Sequence, residues 1–455
     1  MAIAKASEKY QIDMCRGPLL KQIITFVVPL MFSGILQLVF HSTDLMIVGR
    51  FASHQALAAI GVTTSVIHLL VNIFFGLSVG TNVLVSRYLG AKDRNAVFRA
   101  VHTAVYLSLV GGVIIGVAGM ILTGPIFRCM EVPEDIIDMS CLYTRIYFAG
   151  LPMTILYNFG SAILRASGDT KRPFYFLVLA GFINVFLNLF FVVVCRWPVG
   201  GVATATIIAQ TVSALLVLRV LVTSRTSCRV RLNMLRIHWK TFRDMMWIGI
   251  PAGFQASSFS VANILIQTAL NSFGSAAIAG CTAANTWEVF CYVTNGSFGQ
   301  TATSFVSQNF GGKQYGRIRK TVKYCSFLAV SAQLVLSLLL WSFGEAALSL
   351  FNTDPEVIKW GILRFSIILP FVLGCGVMET FVGTLRGLGH VAGPTIIMIC
   401  SVCVFRVIWL NTAFASHHTM AVLIWSYPTS WMLAIAALGI YYYFVQRKLP
   451  DAADK

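Results

Sequence analysis

The sequence predicts an all-α polytopic membrane protein of twelve transmembrane helices in two pseudo-symmetric six-helix lobes. Three observations carry this: long apolar stretches, a scarcity of charge, and a repeat relating the two halves. Of 455 residues, 57% are hydrophobic and only 11% are charged, against about 25% charged in a soluble domain. So few charges could not cover a soluble protein of this size, which argues against a soluble enzyme. Apolar runs such as 101–122 and 178–194 argue against a transmembrane barrel, whose strands alternate apolar with polar residues.

A membrane helix needs about 20 apolar residues, and twelve stretches meet that need in order. Span 1 (20–49) follows a polar tail. It is too long for a signal sequence and ends in no small-residue cleavage site, so it is expected to stay in the protein. Spans 2 (55–82) and 3 (98–122) flank a loop holding Arg87, Lys92 and Arg94. Span 4 (138–163) follows an acidic loop with Glu131, Glu134 and Asp135. Spans 5 (174–195) and 6 (199–222) are closely joined. Span 7 (240–269) follows a basic connection, 223–243, and spans 8 (276–306) and 9 (320–343) flank another basic loop. Spans 10 (357–384), 11 (395–413) and 12 (419–444) complete the series.

Lysine and arginine sort by side in this scheme. The N-terminal tail, the even-to-odd connections and the C-terminal tail hold 26, whereas the opposite loops hold Arg50, Arg128, Arg196 and Lys359. Positive residues collect on the cytoplasmic side, so both termini are expected in the cytoplasm and the span count is even. The net charge of +17 is therefore read as topogenic, in a plasma or inner membrane, and no nucleic-acid partner is expected. The eleven cysteines are scattered and fall mostly within spans, where they act as small apolar residues. The pair Cys400 and Cys403 lies inside span 11, and neither a metal nor a cofactor is expected.

The halves match at a shift of about 221 residues. "VSRYLGAK" (85–92) pairs with "VSQNFGGK" (306–313), and "LRASGDTKRP" (164–173) pairs with "LRGLGHVAGP" (385–394). Pro29 pairs with Pro251 one residue off that shift. Several such matches in order imply a duplicated six-span unit. The expected division is an N-lobe at 1–222, a basic connection at 223–243 and a C-lobe at 244–455. Repeats of this kind are common in secondary transporters, where substrate binds between halves that rock.

With "STDLMIVGR" (42–50), "ALAAIGV" (56–62) and the repeated motifs above, the chain resembles the MATE (multidrug and toxic compound extrusion) family over nearly its whole length. The resemblance implies two lobes forming a V. It also implies export of organic, often cationic or amphiphilic, drugs and toxic compounds, driven by inward H⁺ or Na⁺ and with no enzymatic activity. The protein is expected to act as a monomer in the lipid bilayer.

Few acidic residues fall well inside spans: Asp44, Glu288 and Glu379. Each costs about 2.5–3.5 kcal/mol at the bilayer centre and is expected to face a cavity or a partner. Ser33, Gln37, His41 and Asp44 form one polar stripe along span 1. Asn184 and Asn188, four apart, share a face of span 5. An Asp at this position with an Asn-x-x-x-Asp pair in span 5 resembles the family's N-lobe cation site. Asn188 replaces the second Asp here, which leaves the ion and its stoichiometry open. Low dielectric favours the neutral carboxyl, so Asp44 is a proton acceptor or, with the two asparagines, a Na⁺ ligand. Neutralisation would let span 1 bend near Pro29, which lacks a backbone hydrogen bond. The plainer alternative is a structural Asp held by His41.

In the second half, Asn285, Glu288, Tyr292 and Asn295 form a stripe on span 8. Glu379 lies in span 10, Arg406 is stranded in span 11, and Gln255 is a polar residue of span 7. Arg406 is expected to pair with Glu379 or Glu288, and the other glutamate would be free for substrate or a second cation. Two rival functions remain: a lipid-linked oligosaccharide flippase of the same superfold, and more remotely a membrane-embedded enzyme. "GLSVG" (76–80) fits a nucleophile-elbow pattern, but that motif needs a strand–turn–helix context, and here it lies within a helical run.

Overall fold

The structure, a computed structural model, describes residues 10–450; Lys5, Lys9 and Lys455 of the charge tally lie outside them. Among the described residues, all regular structure is helical. The first six long helices are α1 (Leu19–Phe51), α2 (His54–Gly90), α3 (Arg94–Cys129), α4 (Glu134–Ala166), α5 (Lys171–Val194) and α6 (Pro198–Thr223). The second six are α7 (Trp239–Leu270), α8 (Ser275–Gly311), α9 (Tyr315–Ser342), α10 (Pro355–Leu388), α11 (Ala392–Phe414) and α12 (Met420–Arg447). Among the described residues, nine of these are long and apolar enough to cross a membrane.

The ends of the helices follow local chemistry. Ser53, Asp93, Asp354 and Thr419 each accept a backbone N–H of the first turn that follows, satisfying donors a helix start leaves unpaired. At its C-terminal end, which carries Arg87, α2 outruns its predicted span by about two turns. The duplication is visible in the backbone. Lys92 and Lys313, 221 residues apart, both take positive φ (57° and 55°), as do Gly168 (86°) and Gly389 (92°). Each pair closes a matching helix end in the left-handed region. A short helix at Gly344–Ser349 is an element the span pattern did not anticipate.

Two compact units emerge. Among the described residues, one takes in 10–13 and Val28–Gly253; the other comprises Met14–Val27 and 254–450. Charge patterning places the division in the 223–243 connection; packing places it within helices, beside Pro29 in α1 and Pro251 in α7. In the first unit α4 is the hub, packing on α2, α3 and α6. Its counterpart α10 packs on α8, α9 and α12 in the second. Close approach needs small residues: a Cβ on Gly112 would lie 2.7 Å from Pro152 Cα, and one on Gly383 would lie 2.1 Å from the Gly299 carbonyl oxygen.

The burial pattern is inverted relative to a soluble helix. On α5, Asn184 and Asn188 are buried while Phe182 and Phe186 are 71% and 70% exposed. That is the pattern expected where the surroundings are hydrocarbon and polar groups must find partners inside.

Candidate functional site

In the first unit, of the residues predicted from spacing, Asp44 on α1 meets Asn184 and Asn188 on α5. The Asn188 amide nitrogen donates to Asp44 Oδ1 in a very short contact, and to Asn184 Oδ1 at 3.2 Å. Asn184 in turn donates to Thr206 Oγ1 on α6 at 3.2 Å. A chain of hydrogen bonds therefore links α6 through α5 to a carboxylate on α1, with Asn188 donating in both directions. Thr206 was not anticipated; it lies one partner further out, and nothing in the spacing singles it out among the threonines of that span.

The local structure explains how α5 presents these groups. Directly after Asn188 the helix widens into a π-helical segment, Phe190–Val194, a device often found at functional sites. Ile47 and Val48 on α1, Tyr143 on α4 and Val192 on α5 form one apolar cluster. Asp44 is half-buried, Gln37 and His41 are exposed, and Pro29 is buried within a continuous α1. The Ser33 hydroxyl bonds back to the Pro29 carbonyl at 2.7 Å.

Asn188 Oδ1 is buried without a hydrogen-bond partner among the described residues. An amide has a donating and an accepting end. Its NH₂ suits an ionised carboxylate, and after rotation its oxygen suits a protonated one. Asn188 can thus serve both charge states of Asp44, which a second carboxylate could not do without repulsion.

The second unit holds a cavity of about 360 Å³. Its wall includes Asn263 from α7, Asn285, Tyr292 and Asn295 from α8, Arg364 and Glu379 from α10, Arg406 from α11 and Tyr427 from α12. Here the expected pairing is corrected. Glu288 binds Arg364, with Nε to Oε1 and Nη2 to Oε2 both at 2.8 Å, and takes a third bond from the Tyr292 hydroxyl at 3.2 Å. The reason is geometric: α8 and α10 are the most closely packed helices of the unit, so Arg364 faces Glu288 directly. The sequence did offer a signal, since Arg364 is itself a cation within a predicted span.

Arg406 pairs with neither glutamate. Its Nε donates to Ser430 Oγ at 3.2 Å and its Nη1 to Asn263 Oδ1 at 3.3 Å, and its guanidinium lies over the Tyr427 ring, 4.2 Å from the centroid. Two π-helical segments, Ile399–Val404 and Leu410–Phe414, flank it on α11. Glu379 lines the cavity within electrostatic reach of Arg386, seven residues on. Gln255 does not line the cavity: its Oε1 accepts a bond from Arg386 Nη2 at 2.9 Å. It acts as a strut for the C-terminal end of α10. Among the described residues, no cluster of three or more His, Cys, Asp or Glu could hold a metal ion.

Comparison with known proteins gives consistent results. The MatE family pattern matches residues 29–190 and 251–410. The chain is 29% identical over 435 residues to Probable multidrug resistance protein YoeA of Bacillus subtilis (strain 168), covering 93% of each protein. It is 24% identical over 356 residues to a protein of Shewanella oneidensis named FAD transporter, covering 76% of this chain and 77% of that one. Among solved structures, the outward-facing conformation of a multidrug resistance MATE family transporter of the MOP superfamily superposes with a TM-score of 0.90. That match is 21% identical and covers 96% of this chain and 98% of the other, so it shows a shared fold.

Proposed function

Because the chain belongs to the MatE family, we propose that this multi-pass membrane protein is a proton-coupled antiporter that exports small organic compounds by alternating access. Both termini face the cytoplasm, and the membrane is the plasma or inner membrane. The names of its relatives run from multidrug resistance protein to FAD transporter, so family membership leaves the substrate class to be argued from the chain itself.

The contact between Asp44 and Asn188 carries the reading. A carboxylate at this depth is costly and needs a purpose or a partner. Its partner is an amide able to hold either charge state. When Asp44 is ionised, the Asn188 NH₂ ties α1 to α5. When a proton arrives from the external side, the charge-assisted bond gives way to a weaker neutral one, and α1 is held less firmly against bending at Pro29, where one backbone bond is missing. Bending reshapes the N-lobe and expels the substrate. Na⁺ is the weaker candidate, because it prefers several hard oxygen ligands and the groups turned toward Asp44 include an amide nitrogen.

The test is efflux of a fluorescent organic compound from proteoliposomes under a pH gradient or a Na⁺ gradient imposed separately. The pH gradient alone is expected to drive efflux, and Asp44→Asn is expected to abolish it while leaving the protein folded. Efflux at the wild-type rate in Asp44→Asn would overturn the scheme, and efflux driven by Na⁺ alone would replace the proton.

A further inference from the structure

The wall of the second unit's cavity is unusual in its hydrogen-bond polarity. Asn263 gives its carbonyl oxygen to Arg406, and Asn285 gives its oxygen to Arg364 at 3.4 Å. Asn295 gives its oxygen to Gln333 Nε2 at 2.8 Å. The orientation of Gln333 is fixed because Nε2 also serves the Cys291 carbonyl at 2.7 Å, a group that can only accept. All three asparagines therefore keep their NH₂ ends for other partners. Asn295 Nδ2, on a side chain 2% exposed, has no acceptor among the described residues.

Charge points the same way. Arg364 is neutralised by Glu288; Glu379, a carboxylate of the same wall, lies within electrostatic reach of Arg386. Arg406 is 4% exposed and has only neutral partners: a hydroxyl, an amide oxygen and an aromatic face. No protein acceptor meets its Nη2 among the described residues. A buried guanidinium without a carboxylate is expensive, and its planar edge matches a carboxylate in a two-point contact. The rest of the wall is mostly apolar or aromatic, with Phe259, Met378 and Trp431 among it, and adds the polar Gln267 and Thr282. A volume of about 360 Å³ suits a small organic ligand.

We propose that this cavity is a binding site for an organic monoanion. Its carboxylate docks on Arg406, with Asn263 and Asn295 supplying further donors, and its aromatic body lies against Phe259 and Trp431. Tyr427, stacked under the guanidinium, holds the docking edge in place. The cavity thereby gives the transporter a preference for anionic aromatic compounds, where the sequence resemblance alone pointed to cations. This deepens the transporter reading and rests on it for its physiological meaning.

Equilibrium binding tests the site without requiring transport. Purified full-length protein in nanodiscs would be titrated with 2-naphthoate, 2-naphthamide and 2-naphthylmethylammonium, following intrinsic tryptophan fluorescence. These probes share a body and differ in charge. The carboxylate is expected to bind roughly tenfold or more tightly than the amide, the size of a charge-assisted hydrogen bond, and the ammonium least tightly. Arg406→Gln is expected to erase the difference between carboxylate and amide. Arg406→Lys, which keeps the charge in case the glutamine variant does not fold, is expected to retain only part of it. Equal binding of carboxylate and amide by the wild type, or an undiminished preference in either variant, would overturn the proposal. Gradient-driven efflux measured in parallel separates the two ideas. Anion preference without any gradient-driven movement counts against the transporter reading alone; movement without anion preference counts against the cavity assignment alone.

Discussion

Replacing Glu288 by Gln leaves Arg364 in place without its counter-charge, and the structure sets the size of the consequence. Arg364 is 5% exposed and makes two 2.8 Å charge-assisted bonds to Glu288. What remains after substitution is a neutral amide at 288, a long 3.4 Å contact to Asn285 and the face of Tyr427 at 5.1 Å, and none of these carries a charge to offset a buried cation. Removing one member of a buried ion pair costs about 3–5 kcal/mol. For a unit of roughly 200 residues, 1 kcal/mol corresponds to about 2–4 °C, so the melting temperature is expected to fall by roughly 10 °C. The assay is thermal unfolding in detergent with a thiol-reactive fluorogenic dye. Cys281, Cys291, Cys325 and Cys375 are free and buried in the same unit, so they report its opening. The decisive comparison is a cycle with Arg364→Gln and the double variant. Because the double variant strands no charge, it should be no worse than the worse single one, giving a coupling of about 3 kcal/mol. Additive losses, or single variants melting within about 2 °C of the wild type, would refute a mutually dependent buried pair.

Two further outcomes follow from the packing and the loops. Gly383→Val places side-chain atoms where α10 meets the Gly299 carbonyl; overpacking of this kind costs about 1–3 kcal/mol or more, read as a lower melting temperature, whereas Gly124→Ala, which meets open space, should melt like the wild type. Asp169, in the loop before α5, is fully buried beside Arg172, with Nε to Oδ2 at 2.6 Å. Burial pushes its carboxyl above the ordinary carboxylate range in spite of Arg172. With the folded-state value raised, the folded protein binds more protons, so this group's contribution is held at low pH and declines as pH rises. The melting temperature of the wild type, measured relative to Asp169→Asn across buffers, is therefore expected to fall as pH rises above about 4; a gap that widens with pH in the wild type's favour would contradict this.

The architecture was legible because lipid imposes few solutions. Length, apolar runs and the sidedness of Lys and Arg mark the spans, and the 221-residue repeat marks the duplication that Lys92 and Lys313 reproduce in φ. The meeting of Asp44, Asn184 and Asn188 was legible because helical spacing puts each polar group on one face and lipid forbids the other. The pairing in the second unit was not. Sequence separation says nothing about which of several arginines lies opposite a glutamate, and Arg364 rather than Arg406 faces Glu288 because α10, not α11, packs most closely on α8. The π-helical segments in α5 and α11 were likewise invisible. A one-residue widening leaves the apolar pattern almost unchanged while rotating everything beyond it.

The two units keep a common scaffold and differ at their polar centres. Arg165 and Arg386 stand 221 residues apart at matching ends of the hub helices, and Gly168 and Gly389 close those ends with the same handedness. Seven residues before each arginine, however, Asn158 stands in one unit and Glu379 in the other. On α5 the buried polar groups are two amides, one of them bonded to a carboxylate; on α11 the buried charged group is a guanidinium. A duplicated fold needs the same backbone closures in both copies to stand up, so those positions are set by folding. It has no such need for a carboxylate in one copy and an unneutralised guanidinium in the other, since each costs stability that an apolar residue would not. The divergence therefore lies where function, not folding, sets the residue. A lone carboxylate with an amide that fits both its charge states is suited to taking and releasing a proton. A guanidinium with asparagine amide donors in the same cavity wall is suited to holding an anion. On the readings proposed above, the duplication has separated energy coupling from substrate recognition, and Asp44→Asn and Arg406→Gln should fail differently: the first should lose gradient-driven efflux with probe binding intact, the second should lose the carboxylate preference with the response to the gradient intact.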